Sequence, residues 1–474
     1  MMNFGKAFHF KLISFLILLF IFGSLVQGAS ALTTAEEKKL GKQVLLDLQK
    51  NVNFVTDLNI QGFVEKVGYS ILNQVGPTPF EFKFYVINAP DPNAFAIPGG
   101  YIFVTTGLIV LADNEQEIAG VLSHEIAHVT HRHLSQMIER SKRLNIASMV
   151  AIVAAMLAGK GGSGSQAGAA MAMATAEALA LKYTREMETD ADQSGLNYLI
   201  KAGYDPNGMI NFLNRIQKVS LAMAPNVPPY LLTHPAIENR ISLLESLLQI
   251  GPRPIGPFKT FENFNKIRAM TFAEEREPNV AITHFQSLID ANPNYWEGYY
   301  GLGLAYRKMG RFDKSMEVLQ HAHSLEPKDL DISRELSVVY FLSGRVDQAI
   351  ETLEATRSTP GAGGDDDLVT LYYLGRGYQE KGNFPKALPL LLKVRKEKPE
   401  FIDVYYHLGS VYGRMGQKGL SHFYFGKHFR LKGERNNALL HFRTAFEWLE
   451  RGSAEREEAY QEIKELTEKR GKLE

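Results

Sequence analysis

The chain has 474 residues, a formal net charge of zero and no cysteine. Its length is sufficient for two or three domains, and 45% hydrophobic with 22% charged residues is the composition of an ordinary globular protein. The neutral balance gives no electrostatic case for nucleic acid as a partner. The missing cysteines exclude disulfides, thiol catalysis and cysteine-ligated zinc.

The N-terminus predicts an export signal. Lys6 and Lys11 precede an uncharged apolar run at 12–26, and Ala29-Ser30-Ala31 offers small residues where a signal peptidase cleaves. We predict cleavage after Ala31. An uncleaved membrane anchor is the alternative, because fifteen apolar residues are long for a signal and short for a span. A lipoprotein is excluded because no cysteine can carry the lipid, and export of such a chain favours the periplasm of a Gram-negative bacterium.

The segment after the signal changes from helical to strand periodicity. Apolar residues recur at helical spacing from 34 to about 75, which predicts two helices. Residues 80–87 alternate between apolar and polar, as in a strand with one buried face. Residues 94–97 and 101–105 flank Pro98-Gly99-Gly100 and predict strand, turn and strand. A small sheet is therefore expected directly before the next helix.

That next helix, predicted to start near Asn114, contains the pattern His-Glu-x-x-His. His124 and His128 lie four residues apart, so they share one helix face and could hold one metal ion. Glu125 is rotated by about 100° around the helix axis, which places its carboxylate beside the ion, where it can hold a water molecule. The pattern is typical of zinc hydrolases. With thirteen histidines in the chain it could also arise by chance, so a third ligand is needed.

A candidate third ligand lies in the charged helical stretch 185–195. Four of its residues share one stripe at spacings of three and four, namely Glu188, Ala191, Asp192 and Gly195. We expect Glu186 and Asp190, on the other face, to be in solvent. A carboxylate on the stripe could reach the two histidines and leave one coordination position for water. Asp192 could accept the free ring N–H of a ligand histidine or the proton of a bound intermediate.

Together these motifs resemble the gluzincin metalloproteases related to HtpX and the CAAX prenyl proteases, among which exported members carry a tetratricopeptide domain. The resemblance runs from about residue 34 to the C-terminus. It implies one zinc ion per chain, with His124, His128 and Glu188 as ligands. It also implies that Glu125 is the catalytic base and that Asp192 is an acid or proton donor.

The same resemblance implies a fold, substrates and a partner. The expected fold is an α+β metalloprotease domain, mostly helical with a small sheet next to the active-site helix, followed by an all-α tetratricopeptide solenoid. The implied substrates are unfolded or misassembled proteins, outer-membrane proteins in particular. The implied partner is the outer-membrane β-barrel assembly complex, with a chaperone function as an additional possibility.

Three further histidines leave alternatives open. His131 falls roughly on the ligand face one turn later, and for it and His133 we favour a supporting or surface role over metal binding. His234-Pro235 lies in a predicted loop before the apolar helix 241–248. His234 could take the open zinc position and keep the enzyme latent, could stabilise the oxyanion, or could be a capping or packing residue. The resemblance gives the functional roles the same weight as capping or packing, because related proteases carry a similar His-Pro element.

The segment 144–181 is unusual in composition. An apolar stretch at 144–157, too short to span a bilayer, is followed by a glycine and serine linker at 159–168 and by an alanine- and methionine-rich stretch. We favour two helices that cover the core with a mobile loop between them. The alternative is a flap, or a hairpin that makes peripheral contact with a membrane.

The C-terminal half repeats. Tyr306 and Gly310 recur thirty-four residues later as Tyr340 and Gly344, and a second such pair begins at Tyr378. This is the tetratricopeptide period, with two antiparallel helices per unit. We predict four full repeats from about 294 to 433, flanked by a helical pair and a terminal helical segment as caps. Such a solenoid offers a concave surface to peptides or proteins.

The predicted organisation has four parts: a signal peptide at 1–31, a zinc metalloprotease domain at 32–250, a proline- and glycine-rich linker at 251–260 and a tetratricopeptide repeat domain at 261–474. Two functions are compatible with it. The first is an exported zinc endopeptidase whose repeats dock it to a partner complex. The second is a mainly non-enzymatic adaptor or chaperone with a latent or structural zinc site.

Overall fold

The computed structural model describes residues 32–140, 183–222, 227–251, 256–261, 263–358 and 367–468. The N-terminal part contains three strands and a set of helices. The strands are β1 Lys83–Ile87, β2 Ala94–Ile97 and β3 Tyr101–Thr105. The helices described there are α1 Thr34–Asn51, α2 Leu58–Leu72, α3 Thr106–Leu111, α4 Glu115–Thr130, α5 His133–Arg140, α6 Arg185–Lys201, α7 Asn207–Ala222, α8 Pro229–Thr233 and α9 Ile237–Ile250.

The C-terminal part is a series of antiparallel helical hairpins. Its described helices are α10 Phe264–Glu275, α11 Pro278–Ala291, α12 Trp296–Lys308, α13 Phe312–Leu325, α14 Leu330–Leu342, α15 Val346–Ser358, α16 Leu368–Glu380, α17 Phe384–Glu397, α18 Ile402–Arg414, α19 Lys418–Leu431, α20 Arg435–Trp448 and α21 Ala454–Glu468. The fold class expected from the sequence is thus confirmed. Two details differ: the strand predicted from residue 80 starts at Lys83, and the helix predicted from 241 starts at Ile237.

The sheet has the strand order β1-β3-β2. β1 pairs with β3 in parallel and β2 pairs with β3 in antiparallel orientation. The outer edge of β1 is capped by the side chain of Gln61, whose amide donates to Phe84 O at 2.6 Å and accepts from Val86 N at 3.1 Å. Val55 N also donates to Val86 O at 2.9 Å. Because an open strand edge invites pairing with another chain, this cap blocks one side of the sheet.

The repeat glycines close the helical hairpins of the solenoid. Four of them have φ between +72° and +81°, namely Gly310, Gly344, Gly382 and Gly416. A left-handed residue at the end of a helix favours glycine because glycine has no Cβ to clash there. The repeat signal in the sequence therefore reflects a backbone requirement of each hairpin turn.

The solenoid holds helix α2 at two places. In the first helix of the solenoid, Phe264 packs on Phe63 of α2, with ring centroids 5.8 Å apart. Further along, Leu58 packs against the apolar core of the later repeats, and Lys398 forms an ion pair with Glu65. Since α2 also packs against β1 and α4, the two halves of the chain are joined beside the sheet.

Two predictions of the sequence fall outside the described residues. They are the signal peptide with its cleavage after Ala31 and the membrane contact through 144–181, and both stay predictions. Among the helices that the structure describes, none is long and apolar enough to cross a bilayer.

Candidate metal centre

Helix α4 carries the two histidines of the motif through the middle of the domain. It begins where the sequence predicts, because the side chain of Asn114 caps it by accepting from Glu117 N at 3.1 Å. His124, Glu125 and His128 are all buried, and at most 2% of the surface of each residue is exposed. The candidate ligands therefore lie on a helix that is fixed by packing on all sides, which is the rigid support that a metal site requires.

Helix α6 crosses α4 closely and brings the acidic stripe to these histidines. The crossing point is Gly195, where an added Cβ would lie 3.1 Å from His124 N. Glu188 and Asp192 are buried, whereas Glu186 and Asp190 face solvent as expected. The small residue at 195 thus lets the two helices approach until carboxylates of one reach imidazoles of the other.

The structure brings together His124, His128, Glu188 and His234. One ligand atom from each of these four residues lies within 4.8 Å of the others. The Nε2 atoms of His124 and His128 are 2.9 Å apart, and Nε2 of His128 is 3.4 Å from Oε1 of Glu188. His234 joins through Nδ1, which lies 3.1 Å from the same carboxylate oxygen and 3.3 Å from Nε2 of His124.

His234 reaches the cluster from the end of the short helix α8. Its ring stacks on Tyr230 with centroids 4.5 Å apart, and its backbone N–H donates to Tyr230 O. The chain then turns at Ala236, a non-glycine residue with φ +63°, into helix α9. Nε2 of His234 lies 3.4 Å from Oε1 of Glu125, so this ring stands between the motif glutamate and Glu188.

The outward ring nitrogens of the two motif histidines have different partners. Nδ1 of His124 is 2.9 Å from a carboxylate oxygen of Asp192. Nδ1 of His128 is 3.0 Å from Nδ1 of His133, which is buried at the start of α5. His131 lies outside the cluster, because its exposed ring pairs with Ser194 Oγ at 2.8 Å.

Arg240 is the part of the site that we did not predict from the sequence. Its guanidinium binds both carboxylates of the α6 stripe, with 2.7 Å to Glu188 Oε2 and two contacts of 2.8 Å to Asp192. The residue is only 4% exposed. A signal was present, because an arginine at this point of the apolar stripe of α9, between Ile237 and Leu244, has to be buried with an acidic partner.

Burial and neighbouring charges shift the pKa values of the acidic groups in opposite directions. Desolvation raises the pKa of Glu125. Burial acts in the same sense on Glu188 and Asp192, but the charge of Arg240 and the neighbouring histidines together outweigh it in both cases. The pKa of Glu188 is therefore well below its ordinary value, and that of Asp192 falls to about 2. Two carboxylates are held ionised beside one that resists ionisation.

The histidines also respond to burial. Desolvation holds the pKa of His128 well below its usual value and lowers that of His133 to about 4. For His234 the acidic neighbours Glu188 and Glu125 outweigh the effect of burial, so its pKa is raised.

The residues of the cluster fit a zinc ion. Imidazole nitrogens with a carboxylate oxygen are the donor set of zinc in hydrolases, and these donors converge from helices α4 and α6 and from the turn after α8. Within the described part of the chain, both oxygens of Glu125, which stand beside the imidazoles, are buried without a hydrogen-bond partner. Buried orphan oxygens at the focus of converging imidazoles are what a cation site provides.

Comparison with known families and proteins agrees with this chemistry. Residues 59–248 match the model of peptidase family M48, and residues 268–323 and 309–359 match tetratricopeptide repeat models. A putative beta-barrel assembly-enhancing protease of Vibrio cholerae is 27% identical over 433 residues, which cover 90% of this chain and 88% of that protein. The beta-barrel assembly-enhancing protease of Escherichia coli is 25% identical over 344 residues, or 70% of this chain and 68% of that protein.

Another relative matches a shorter part of the chain. The mitochondrial metalloendopeptidase OMA1 of Schizosaccharomyces pombe is 30% identical over 186 residues, which are 39% of this chain and 52% of that protein. The metalloprotease and the repeats expected from the sequence are thereby confirmed. The chain combines a peptidase family M48 domain with tetratricopeptide repeats, and it is a metalloendopeptidase.

Proposed function

We propose that this chain is a zinc-dependent endopeptidase of the cell envelope, which degrades misfolded or misassembled proteins, outer-membrane proteins among them. The observation that carries the proposal is the convergence of two imidazoles and a carboxylate, from helices α4 and α6, next to the buried carboxylate of Glu125. One zinc ion per chain would be held by His124, His128 and Glu188.

Each residue of the centre has a task in peptide hydrolysis. When bound, zinc acts as a Lewis acid that polarises the scissile carbonyl and makes water more acidic. Glu125 stands beside the ligands and can take the proton of the attacking water and pass it to the leaving amine. The structure favours a positioning role for Asp192, because its two oxygens are engaged by Arg240 and by Nδ1 of His124.

The position of His234 supports a latent resting state. Its Nδ1 lies close enough to the other donors to serve as a fourth ligand in place of water. Zinc in catalytic sites keeps one position open, so a fourth protein ligand would block the reaction until it moves. His234 lies at the end of a five-residue helix, before the left-handed residue Ala236, and displacing this segment would open the centre.

Among the described residues, no strand pairs with the outer edge of β2, and this free edge supports the binding of an extended substrate. Thr105 N donates to Asn93 O, so these two residues form a hydrogen-bonded pair of the β2–β3 ladder. Every second residue of an antiparallel strand bonds to the neighbouring strand, and the residues between point the other way. The backbone groups of Ala94 and Ala96 therefore point away from β3. Ala96 also lines a small cleft together with His128. A peptide strand could pair there through its backbone. Such binding selects unfolded segments and depends little on sequence.

Location and partner are proposed from the export signal and the relatives. The signal predicted at 1–31 directs the chain to the periplasm. Two relatives that are similar over most of this chain are named beta-barrel assembly-enhancing proteases. We therefore propose that the solenoid docks the protease to the outer-membrane assembly complex.

The second candidate function is an adaptor or chaperone whose zinc site stays blocked. It is favoured by the same placement of His234, which gives the centre four protein donors rather than three.

The decisive experiment measures zinc content and casein cleavage for the wild type and Glu125→Gln. Removal of the general base should lower cleavage by roughly 10²- to 10⁴-fold while one zinc ion per chain is retained. Glu245→Gln, a substitution of an exposed residue on α9, is the matched control and should behave as the wild type. Cleavage that survives in Glu125→Gln would contradict the proposed mechanism. A wild type that binds zinc and cleaves nothing would favour the adaptor.

A further inference from the structure

We infer that His133 is a positioning residue, which fixes the ring of the ligand His128 by accepting a hydrogen bond from its outward nitrogen. The inference rests on the proposed zinc site. It concerns a residue whose role, supporting or at the surface, could not be decided from the sequence.

The orientation of the His128 ring decides which of its nitrogens faces the cluster and which faces His133. Its Nε2 faces inward, 2.9 Å from Nε2 of His124 and 3.4 Å from Glu188. Its Nδ1 faces the opposite way and lies 3.0 Å from Nδ1 of His133. A ring that gives the Nε2 lone pair to a metal carries its hydrogen on Nδ1. Nδ1 of His133 must therefore be the acceptor, with its own hydrogen on Nε2.

The fold builds this contact with a strained turn. Helix α4 ends at Thr130, and Arg132 turns the chain with φ +56° so that α5 starts at His133. Among the described residues, the other non-glycine residue with positive φ is Ala236, which follows His234. Left-handed backbone at a non-glycine residue persists only where its surroundings enforce it. Both cases here place a histidine against the cluster.

Contacts of Arg132 with helix α1 and the residues before it enforce the turn. Nε of Arg132 donates to Glu37 of α1 at 2.9 Å, and the guanidinium also binds Leu32 O. Glu37 itself is buried. Helix α1 thus anchors the turn from outside the metal helices, and His133 is left only 2% exposed.

The neighbouring aromatic rings leave the His128 ring little space to rotate. Tyr183 stacks on its face with centroids 3.9 Å apart, and His133 meets it nearly edge-on at an angle of 75°. His124 has the equivalent support from Asp192, whose oxygen is 2.9 Å from its Nδ1. The outward nitrogen of each motif histidine therefore faces an acceptor, a carboxylate for His124 and an imidazole for His128. Such partners fix the tautomer and the direction of a metal ligand.

The test measures the dissociation constant for zinc by competition with a chromophoric chelator. Loss of an outer partner of a ligand histidine typically costs 10- to 100-fold in metal affinity, so we expect zinc binding by His133→Leu to weaken by about that factor. His133→Gln keeps an acceptor oxygen and should retain more affinity than His133→Leu. His321→Leu, which removes an exposed histidine of the solenoid, is the control and should bind zinc as the wild type does.

The outcomes separate this inference from the proposed function. A wild type that binds no zinc would refute the proposed site itself. Wild-type affinity in His133→Leu, or equal losses in the leucine and glutamine variants, would refute only the role of His133 as acceptor. Nitrogen-15 spectra of histidine-labelled, zinc-loaded wild type give a readout that needs no variant to fold. There we expect a hydrogen on Nδ1 of His128 and none on Nδ1 of His133, and the reverse would overturn the inference.

Discussion

Substitution of Arg240 by methionine should destabilise the metal-free protease domain strongly. Arg240 makes three contacts of 2.7 to 2.8 Å with the carboxylates of Glu188 and Asp192. It is 4% exposed, and its partners are 1% and 0% exposed. Methionine keeps the apolar stem of the side chain, so the change removes the charge and the hydrogen bonds while the surrounding packing is largely preserved.

The expected magnitude follows from the burial of all three groups. Removal of one partner of a buried ion pair costs about 3–5 kcal/mol, because the remaining charge is left unpaired in a medium of low dielectric constant. Two carboxylates lose their counter-ion in this case, although His124 and His234 still offer hydrogen bonds. Excess zinc should restore part of the loss, because a cation bound by Glu188 replaces one of the missing interactions.

Hydrogen exchange of the amides in α6 and α9, measured in a chelator, is the suitable assay. Both tryptophans of the chain, Trp296 and Trp448, lie in the solenoid, so their fluorescence does not report on the protease domain. A loss of about 3–5 kcal/mol should speed this exchange by roughly 10²- to 10⁴-fold. Lys83→Met, which breaks an exposed pair with Glu81, should change stability by less than about 1 kcal/mol. Unchanged exchange of α6 in Arg240→Met would refute the reasoning.

Three further substitutions test the site. Ala96→Pro removes an N–H that points to the free edge of β2, so it should impair cleavage of unfolded protein without removing zinc, and unchanged cleavage would exclude strand pairing. His234→Ala should raise peptidase activity if this residue keeps the enzyme latent and lower it if it stabilises the oxyanion, and unchanged activity would contradict both roles. Gly195→Ala should cost about 1–3 kcal/mol in thermal unfolding and weaken zinc binding, because its Cβ would lie 3.1 Å from backbone atoms of α4. Gly62→Ala, which has nothing within 4 Å, is its control and should be neutral or slightly stabilising.

Much of the architecture could be predicted because it depends on local rules. Helical periodicity and the cap at Asn114 predict α4, and the spacing of repeated tyrosine and glycine residues predicts the hairpins of the solenoid. The stripe of α6 could be assigned to the buried side because glutamate and aspartate alternate with small residues at helical spacing. These signals are readable since they lie within one element.

The contacts of Arg240 and His133 could not be predicted in the same way. Arg240 binds carboxylates that lie 48 and 52 positions earlier in the chain, and nothing in the intervening sequence sets that distance. His133 is five residues from His128, yet its contact depends on a left-handed turn at Arg132. An arginine does not normally indicate such a turn, because its Cβ disfavours positive φ.

The sequence by itself determined which residues share a helix face, and therefore that two histidines and a stripe of carboxylates could act together. It determined the repeat period for the same reason, since side-chain periodicity follows from the geometry of a single helix. Only the tertiary structure decided which groups surround each ligand: Asp192 behind His124, His133 behind His128, and Arg240 between the two carboxylates. Two of these pairings join helices that are distant in the chain, and the third depends on the left-handed turn at Arg132. The distances are therefore fixed by how the helices pack and turn, and not by the spacing of residues.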